Sequence, residues 1–395
     1  MRRPLLGIAL AAALAPITAC TPATGDPTPT FVIGIDYDQP GLSVMGEDGV
    51  PRGFDVDTAI YIAEHLGADS SRIIWKEAPP SRRETLLAEG AVDFVVASYS
   101  ITAHPQQVSF AGPYLVAGQD LLVRNEDTGI DRPQALDGRT ICTAAGSTAA
   151  DKIGEDFATG VNLTTRESYS ACVTELLDGT VDAVSTDDVI LAGFAARHPD
   201  RLRVVGRPFT RERYGVGVRT GDSVLRARIT EAIRAMIADG AWERAMTAHI
   251  APSGYRPSPA PPVFDAPDPE SGTADPTLVQ AVERLMESAN AKRWSTFDAL
   301  VCPGAAQAVG AVIMRYTPQY DQRLGPRAKD AGFTNTLIGI SQTGPDSATF
   351  LAHETFTNVP AEYAEFFKDI DYTGTMVRRG GSWMLCALAA DFVEP

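Results

Sequence analysis

Val181-Asp182-Ala183-Val184-Ser185-Thr186-Asp187-Asp188-Val189-Ile190-Leu191-Ala192-Gly193 passes from one periodicity to another. Val181 to Val184 alternates as a short buried strand does, and Val189 to Ala196 carries a helical pattern. A strand therefore delivers the two carboxylates at the change to one edge of a sheet. In open α/β sheets small ligands sit at that carboxyl-end edge, so an acid there can hold a cation such as an ammonium group. Asp188, in the slot just before Val189-Ile190-Leu191, suits a helix N-cap. Asp187 reads equally as a cap and as a cation holder.

Strand-like and helix-like stretches alternate on both sides of this run, the α/β pattern. Phe31 to Tyr37, Ile73 to Trp75, Val92 to Ala97, Leu121 to Val123, Thr140 to Cys142, Arg203 to Val205 and Gly215 to Val218 read as strands. Phe54 to Leu66, Arg83 to Ala88, Thr148 to Asp156, Tyr169 to Leu177 and Ser223 to Ala238 read as helices. Gly215 and Gly217 lack the third glycine of a dinucleotide fingerprint, and there is no Gly-x-Ser-x-Gly elbow. Gly146-Ser147-Thr148, between a strand and a helix, makes a turn whose N–H groups and hydroxyls can grip a carboxylate; capping explains the hydroxyls as well. An anion grip beside a cation grip suits a zwitterion.

Residues 251–275 hold seven prolines, which predicts a semi-extended spacer and two bodies, 31–250 and 276–395. In the second, Leu278 to Ala289 and Ser295 to Val301 look helical. Ala348 to Thr357, Tyr372 to Arg378 and Trp383 to Phe392 look like strands, with a hairpin turn at Arg379-Gly380-Gly381-Ser382. Helices before an antiparallel sheet predict a small α+β domain.

The chain opens with Arg2-Arg3, an apolar run from Leu5 to Leu14, and Ile17-Thr18-Ala19-Cys20, the layout of a secretory signal too short to span a membrane. The last four residues resemble the lipobox of bacterial lipoproteins, which implies cleavage after residue 19 and diacylation of Cys20, two chains and so a stable anchor at the extracytoplasmic face. Residues 20–30 then form a tether. Removing residues 1–19 takes away two arginines and no acids, so the net charge of −16 becomes −18. Such acidity argues against nucleic acid or anionic lipid as a partner. Four cysteines remain, allowing three pairings in an oxidising compartment. The spacer divides them two and two and so favours Cys142 with Cys172 and Cys302 with Cys386. These bridges would close loops worth about 3.6 and 4.6 kcal/mol on the chain-entropy estimate. No metal-ligand spacing is found, and no cofactor is expected.

Several motifs occur in order: Gly53-Phe54-Asp55-Val56-Asp57, Ser100-Ile101-Thr102, Phe110-Ala111-Gly112-Pro113-Tyr114, Ala117-Gly118-Gln119-Asp120, Gly146-Ser147-Thr148, Thr186-Asp187-Asp188 and Tyr214-Gly215-Val216-Gly217-Val218. As a set they resemble family 3 of the extracellular solute-binding proteins, above all actinobacterial glutamate/glutamine-binding lipoproteins that serve ABC importers. The resemblance covers about 31–250. It implies a two-lobed clamshell of the type II periplasmic-binding-protein kind, with lobe 1 at 31–120 and 214–250 and lobe 2 at 121–213. It also implies that Asp187 binds the ligand ammonium and that Ser147 and Thr148 meet its carboxylate. Ala97, Ser98 and Ser100 would contribute from lobe 1, and Asp36 would approach the ligand side chain. Cys142 and Cys172 fall where those lipoproteins carry a cysteine pair. Residues 276–395 resemble cone-shaped nuclear-transport-factor-like domains, in which Asp298, Glu354 and Trp383 would line a cone.

One departure bears on the ligand. The family places an arginine for the α-carboxylate after two residues that follow Ser-Ile-Thr, whereas this chain has Pro105 there. Arg82 or Arg83, in the turn Pro79-Pro80-Ser81-Arg82-Arg83-Glu84, is the expected stand-in. The implied function is delivery of a polar amino acid to an ABC permease, without catalysis. The alternatives are a ligand-sensing head or scaffold lipoprotein, and an exported dehydratase-like enzyme with Asp187 and Ser100 as its acid/base pair.

Overall fold

The computed structural model describes residues 28–101, 108–156, 160–261, 263, 275–313, 332–357 and 370–392, and two five-stranded mixed sheets carry the described residues up to 250. The order of the first sheet is Ile73–Glu77, Phe31–Ile35, Phe94–Val95, Glu212–Arg219, Val108–Ala117. Its first three strands are parallel, and Glu212–Arg219 runs against both of its neighbours. The second sheet repeats the plan as Asn162–Arg166, Thr140–Ala144, Ala183–Asp187, Gln119–Arg124, Leu202–Val204, with Gln119–Arg124 antiparallel to its neighbours. The chain leaves the first sheet through Gly118 and returns through residues 205–211. Strands covered on both faces must be apolar on both, and Leu121, Leu122 and Val123 are each fully buried.

Because the parallel strands of each sheet point the same way, their carboxyl ends gather the connecting turns at one edge. Asp36 follows Phe31–Ile35, the turn Pro79 to Arg83 follows Ile73–Glu77, and Ala97-Ser98 follows Phe94–Val95. From the second sheet, Ser147 and Thr148 follow Thr140–Ala144, and Asp187 ends Ala183–Asp187. The two edges face each other. Ser170 donates its N–H to Asp38 Oδ2 at 2.8 Å, and two glycines bring the halves into backbone contact. A Cβ on Gly193 would stand 2.1 Å from the Pro40 carbonyl oxygen. One on Gly146, which sits at φ +73°, would stand 2.8 Å from Ser81 Cα.

The decisive strand starts two residues later than its pattern suggests and runs through Asp187. Val181 and Asp182 are drawn into the preceding turn, where Arg124 Nη1 donates to the Val181 carbonyl and Thr140 donates to Asp182 Oδ2. The strand Val108–Ala117 is absent from the sequence reading because Gly112-Pro113 interrupts it. Pro113 has no N–H to give, and the strand lies at the sheet's edge, where that donor is not needed on both sides.

The described residues from 276 to 392 build a separate core. Helix Pro276–Asn290 buries Leu278, Val282, Leu285 and Ala289, one stripe at helical spacing, and Trp294–Asp298 and Ala306–Val312 follow it. They cover an antiparallel sheet of Gly332–Gly344, Ser347–Thr357, Ile370–Arg379 and Ser382–Phe392, paired in sequence order. Gly380 and Gly381 take positive φ at the last hairpin, as a two-residue turn of that twist requires. An apolar cavity lies between helices and sheet, with Glu354, Asn335 and Tyr372 among its lining. Glu354 is thus the lining residue of the expected trio. Asp298 does not line the cavity, and Trp383 instead donates its indole N–H to Asp275 Oδ2 at 3.2 Å.

Cys142 is bonded to Cys172 and Cys302 to Cys386, with Cα separations of 5.4 and 4.9 Å. The leader, Cys20 and Pro105 lie outside the described residues. Where the Pro-rich stretch is described, it is not a free spacer. Tyr255, Ala260 and Val263 pack against the large core of the first 250 residues, because the prolines straighten the chain without removing its apolar side chains.

Candidate functional site

Pro80, Arg83, Ser98, Ser147, Thr148, Ala149, Tyr169, Thr186, Asp187 and Ile190 line one cleft between the two sheet edges, about 250 Å3 of empty space with its mouth included. Five of the residues expected from sequence meet there: Arg83, Ser98, Ser147, Thr148 and Asp187. Asp36, Ala97 and Ser100 are buried but are not among the lining residues, and Arg82 is exposed.

Arg82 and Arg83 separate because they begin a helix. Arg82 is the cap residue of Arg83–Ala88 and faces solvent, while the first helical residue turns inward. The Arg83 guanidinium lies 3.7 Å over the Tyr99 ring, and its Nη1 donates to the Ala97 carbonyl at 3.3 Å. Stacking and one hydrogen bond hold the planar group and leave its other donors for the cleft. Ala97 therefore orients the arginine. Ser98 takes the uncommon φ of +44°, and its N–H donates to Asp55 Oδ2 at 2.9 Å. Asp55, fully buried, also accepts from the Tyr114 hydroxyl at 3.0 Å, so the strained turn is anchored from behind.

Opposite, the Ser147 hydroxyl donates to the Ala144 carbonyl at 2.8 Å and receives the Ala150 N–H at 3.3 Å. Capping and lining coincide in this one side chain. Asp187 occupies the cap position of helix Asp188–Arg197 but makes no capping bond. Its Oδ2 accepts the Tyr214 hydroxyl at 2.5 Å. Asp188 is the first helical residue, and its Oδ1 accepts the Val189 N–H of that first turn at 2.7 Å. The same oxygen accepts from Gly118 N–H at 3.2 Å and Tyr255 hydroxyl at 3.0 Å, tying the outgoing crossing to the Pro-rich segment. Ser100 forms a β-bridge with Tyr214, which places the tyrosine whose hydroxyl meets Asp187.

Burial raises the pKa of Asp187 well above the carboxylate range, with nearby Glu212 adding to the effect; the Tyr214 hydrogen bond and Arg83 act against it. Burial also pushes Asp36 up to about 7, although Asp38 N–H and Gln39 Nε2 donate to it. Asp55, Asp120 and Asp188 are pushed up to about 6 for the same first cause. A carboxyl of this kind keeps its proton in the folded chain and has lost it in the unfolded chain from pH 3.8 up to its folded pKa. Each such group therefore withdraws stability as pH rises through about 4 to 7. Asp48, lowered to about 2 by its hydrogen bond to Arg52, acts in the opposite sense only below pH 4. The ligand-free protein is expected to melt at higher temperature at pH 5.5 than at pH 7.5. Calorimetry showing the reverse order would count against buried, protonated carboxyls at this edge.

The sequence alone assigns no role to Tyr214, Tyr169, Thr186 or Asp55. Tyr214, Thr186 and Asp55 stand inside quoted motifs, but sheet pairing brings Tyr214 to Asp187, and the packing of helix Phe54–His65 brings Asp55 to Ser98.

A sequence model of the bacterial extracellular solute-binding proteins, family 3, matches residues 31–251. The glutamate-binding protein GluB of Corynebacterium glutamicum is 41% identical over 229 residues, 55% of this chain and 77% of that protein. A glutamine-binding protein of Geobacillus stearothermophilus is 35% identical over 193 residues, 47% of this chain and 71% of that one. Among solved structures, an ancestral arginine-binding protein bound to arginine is 30% identical with a TM-score of 0.53, covering 56% of this chain and 97% of its own.

Proposed function

Since the chain belongs to family 3 of the bacterial extracellular solute-binding proteins, we propose that it captures a polar amino acid of the glutamate or glutamine kind and delivers it to an ABC importer. The observation that carries this reading is the placing of a buried guanidinium, Arg83, and a buried carboxyl, Asp187, in one cleft with Ser98, Ser147 and Thr148, where an arriving ammonium group would take the place of the carboxyl proton. A zwitterion needs both signs at fixed separation, and an arginine presents the planar donor set that a carboxylate matches. Asp36, buried behind the cleft and close enough to feel the Arg83 charge, would approach the ligand side chain from lobe 1 in this reading.

In this reading residues 1–19 are a leader, and acylated Cys20 with residues 20–30 tethers the protein to the outer face of the membrane. Residues 31–250 are the receptor, 251–275 the connection, and 276–395 an α+β domain of the cone-shaped kind. Relatives that bind glutamate and glutamine support the ligand class.

Thermal shift with glutamate, glutamine, arginine and cystine tests it. A ligand at about 100 times its dissociation constant adds about 2.7 kcal/mol, a shift of several degrees. If no amino acid moves the melting temperature, the ligand class is wrong.

A further inference from the structure

The four-stranded sheet that ends with Ser382–Phe392 is joined to the return crossing of the clamshell by a buried ionic group. Asp371, 4% exposed, forms ion pairs with Arg211, whose Nε stands 2.9 Å from Oδ2, and with Arg213, itself 5% exposed. The Arg211 contact is an ion pair without hydrogen-bond alignment at Nε. His353, the cross-strand neighbour of Asp371, brings Nδ1 within 2.9 Å of Asp371 Oδ1 and 3.4 Å of Arg213 Nη2. Two charges buried together tolerate each other only in good geometry, and removing one partner strands the other.

What the group holds gives it consequence. Arg213 and Tyr214 are consecutive on the strand Glu212–Arg219, so their side chains leave opposite faces. Arg213 is turned to Asp371, and Tyr214 is turned to the cleft, where its hydroxyl donates to Asp187. The backbone between them is fixed by Ile101 N–H donating to the Arg213 carbonyl at 2.8 Å. A second strap reaches the other crossing: Tyr255 donates to the same Asp188 oxygen that receives Gly118 N–H. Both crossings between the two sheets are thus held by residues that follow the clamshell in sequence.

We propose that Asp371 is a positioning residue for the ligand cleft, and that the strand pair carrying Asp371 and His353, together with Tyr255, forms a clasp on the two crossings that favours the closed clamshell. Its effect on affinity rests on the amino-acid-binding reading; its effect on shape does not. A clasp that favours the closed form raises the fraction of molecules competent to retain ligand, so releasing it weakens binding mainly by faster dissociation.

The test uses the full mature chain with a spectroscopic label in each half, at exposed Val50 and Leu163, and glutamate as the ligand. Asp371→Asn is expected to lengthen the ligand-free distance between the labels and to weaken glutamate about 10-fold or more, chiefly through the dissociation rate. Asp371→Glu is expected to restore both. Tyr255→Phe, which removes a single hydroxyl and leaves the ionic group in place, is expected to move both readouts in the same direction by about 3-fold in affinity, and it serves if Asp371→Asn does not fold. An unchanged ligand-free distance in the folded variants overturns the clasp whatever the affinity does. A lengthened distance in a protein that takes up no glutamate at all sustains the clasp and removes the ligand reading.

Discussion

Asp187→Asn will weaken amino-acid binding by about 30-fold or more, measured by titration calorimetry with glutamate against the unmodified chain. The cleft is buried, so an ammonium group entering it gives up its water and must find a charge in return. Leaving such a group without its counterion costs about 2 to 5 kcal/mol. Asparagine keeps the size of the side chain and an oxygen for the Tyr214 hydroxyl, which now bonds to Asp187 at 2.5 Å. The fold should therefore survive, with a melting temperature close to that of the parent. Unchanged affinity would mean that the ligand ammonium sits elsewhere, and Asp187 would then be a structural acid held by Tyr214.

Arg83→Gln will be of similar size, again about 30-fold or more, while Arg82→Gln will stay within about 2-fold. Arg83 is buried against Tyr99 and lines the cleft, whereas Arg82 is solvated, and an exposed charge that touches no ligand contributes little. Arg83→Lys should fail to rescue, because an ammonium cannot stack flat on the Tyr99 ring and donate to a carboxylate through a planar fork at once. If Arg82→Gln proves the damaging variant, the helix begins differently in solution and the carboxylate lies nearer the mouth. If neither matters, the carboxylate is held by Ser147, Thr148 and the helix N-terminus behind them.

Much of the clamshell is legible because its signals are local. Helices Arg83–Ala88, Thr148–Asp156 and Ser223–Ala238 begin and end where their patterns do, since apolar spacing and caps are properties of adjacent residues. The site is legible in part for the same reason: turns after parallel strands gather at one edge, so Ser98, Ser147, Thr148 and Asp187 meet. The choice between Arg82 and Arg83 is not local. Adjacent residues on a helix differ by roughly 100° in direction, and only the Tyr99 ring decides which one turns inward. Tyr214 is harder still, because its meeting with Asp187, 27 residues away, depends on the Ser100 bridge and on the pairing of Glu212–Arg219 with two other strands. The Pro-rich segment misleads in the opposite way. Its composition speaks of separation, yet Tyr255 reaches back to Asp188. Strand Gly332–Gly344 escapes because its threonines, glycines and asparagine blur the alternation that a strand of thirteen residues would otherwise display.

The contact between Gly193 and the Pro40 carbonyl sets a limit on what the cleft can swallow. Backbone meets backbone there, with a second meeting at Gly146 and Ser81, and neither glycine has a side chain that could fold away. The jaws therefore shut against a hard stop and not against a cushion, and the shut gap has one width. A molecule shorter than that gap is enclosed but loose, and one longer props the jaws ajar, leaving Asp38 and Ser170 unable to meet. Selection by length is the expected consequence of two backbone contacts that lie outside the cleft lining, as a caliper measures by where its arms come to rest.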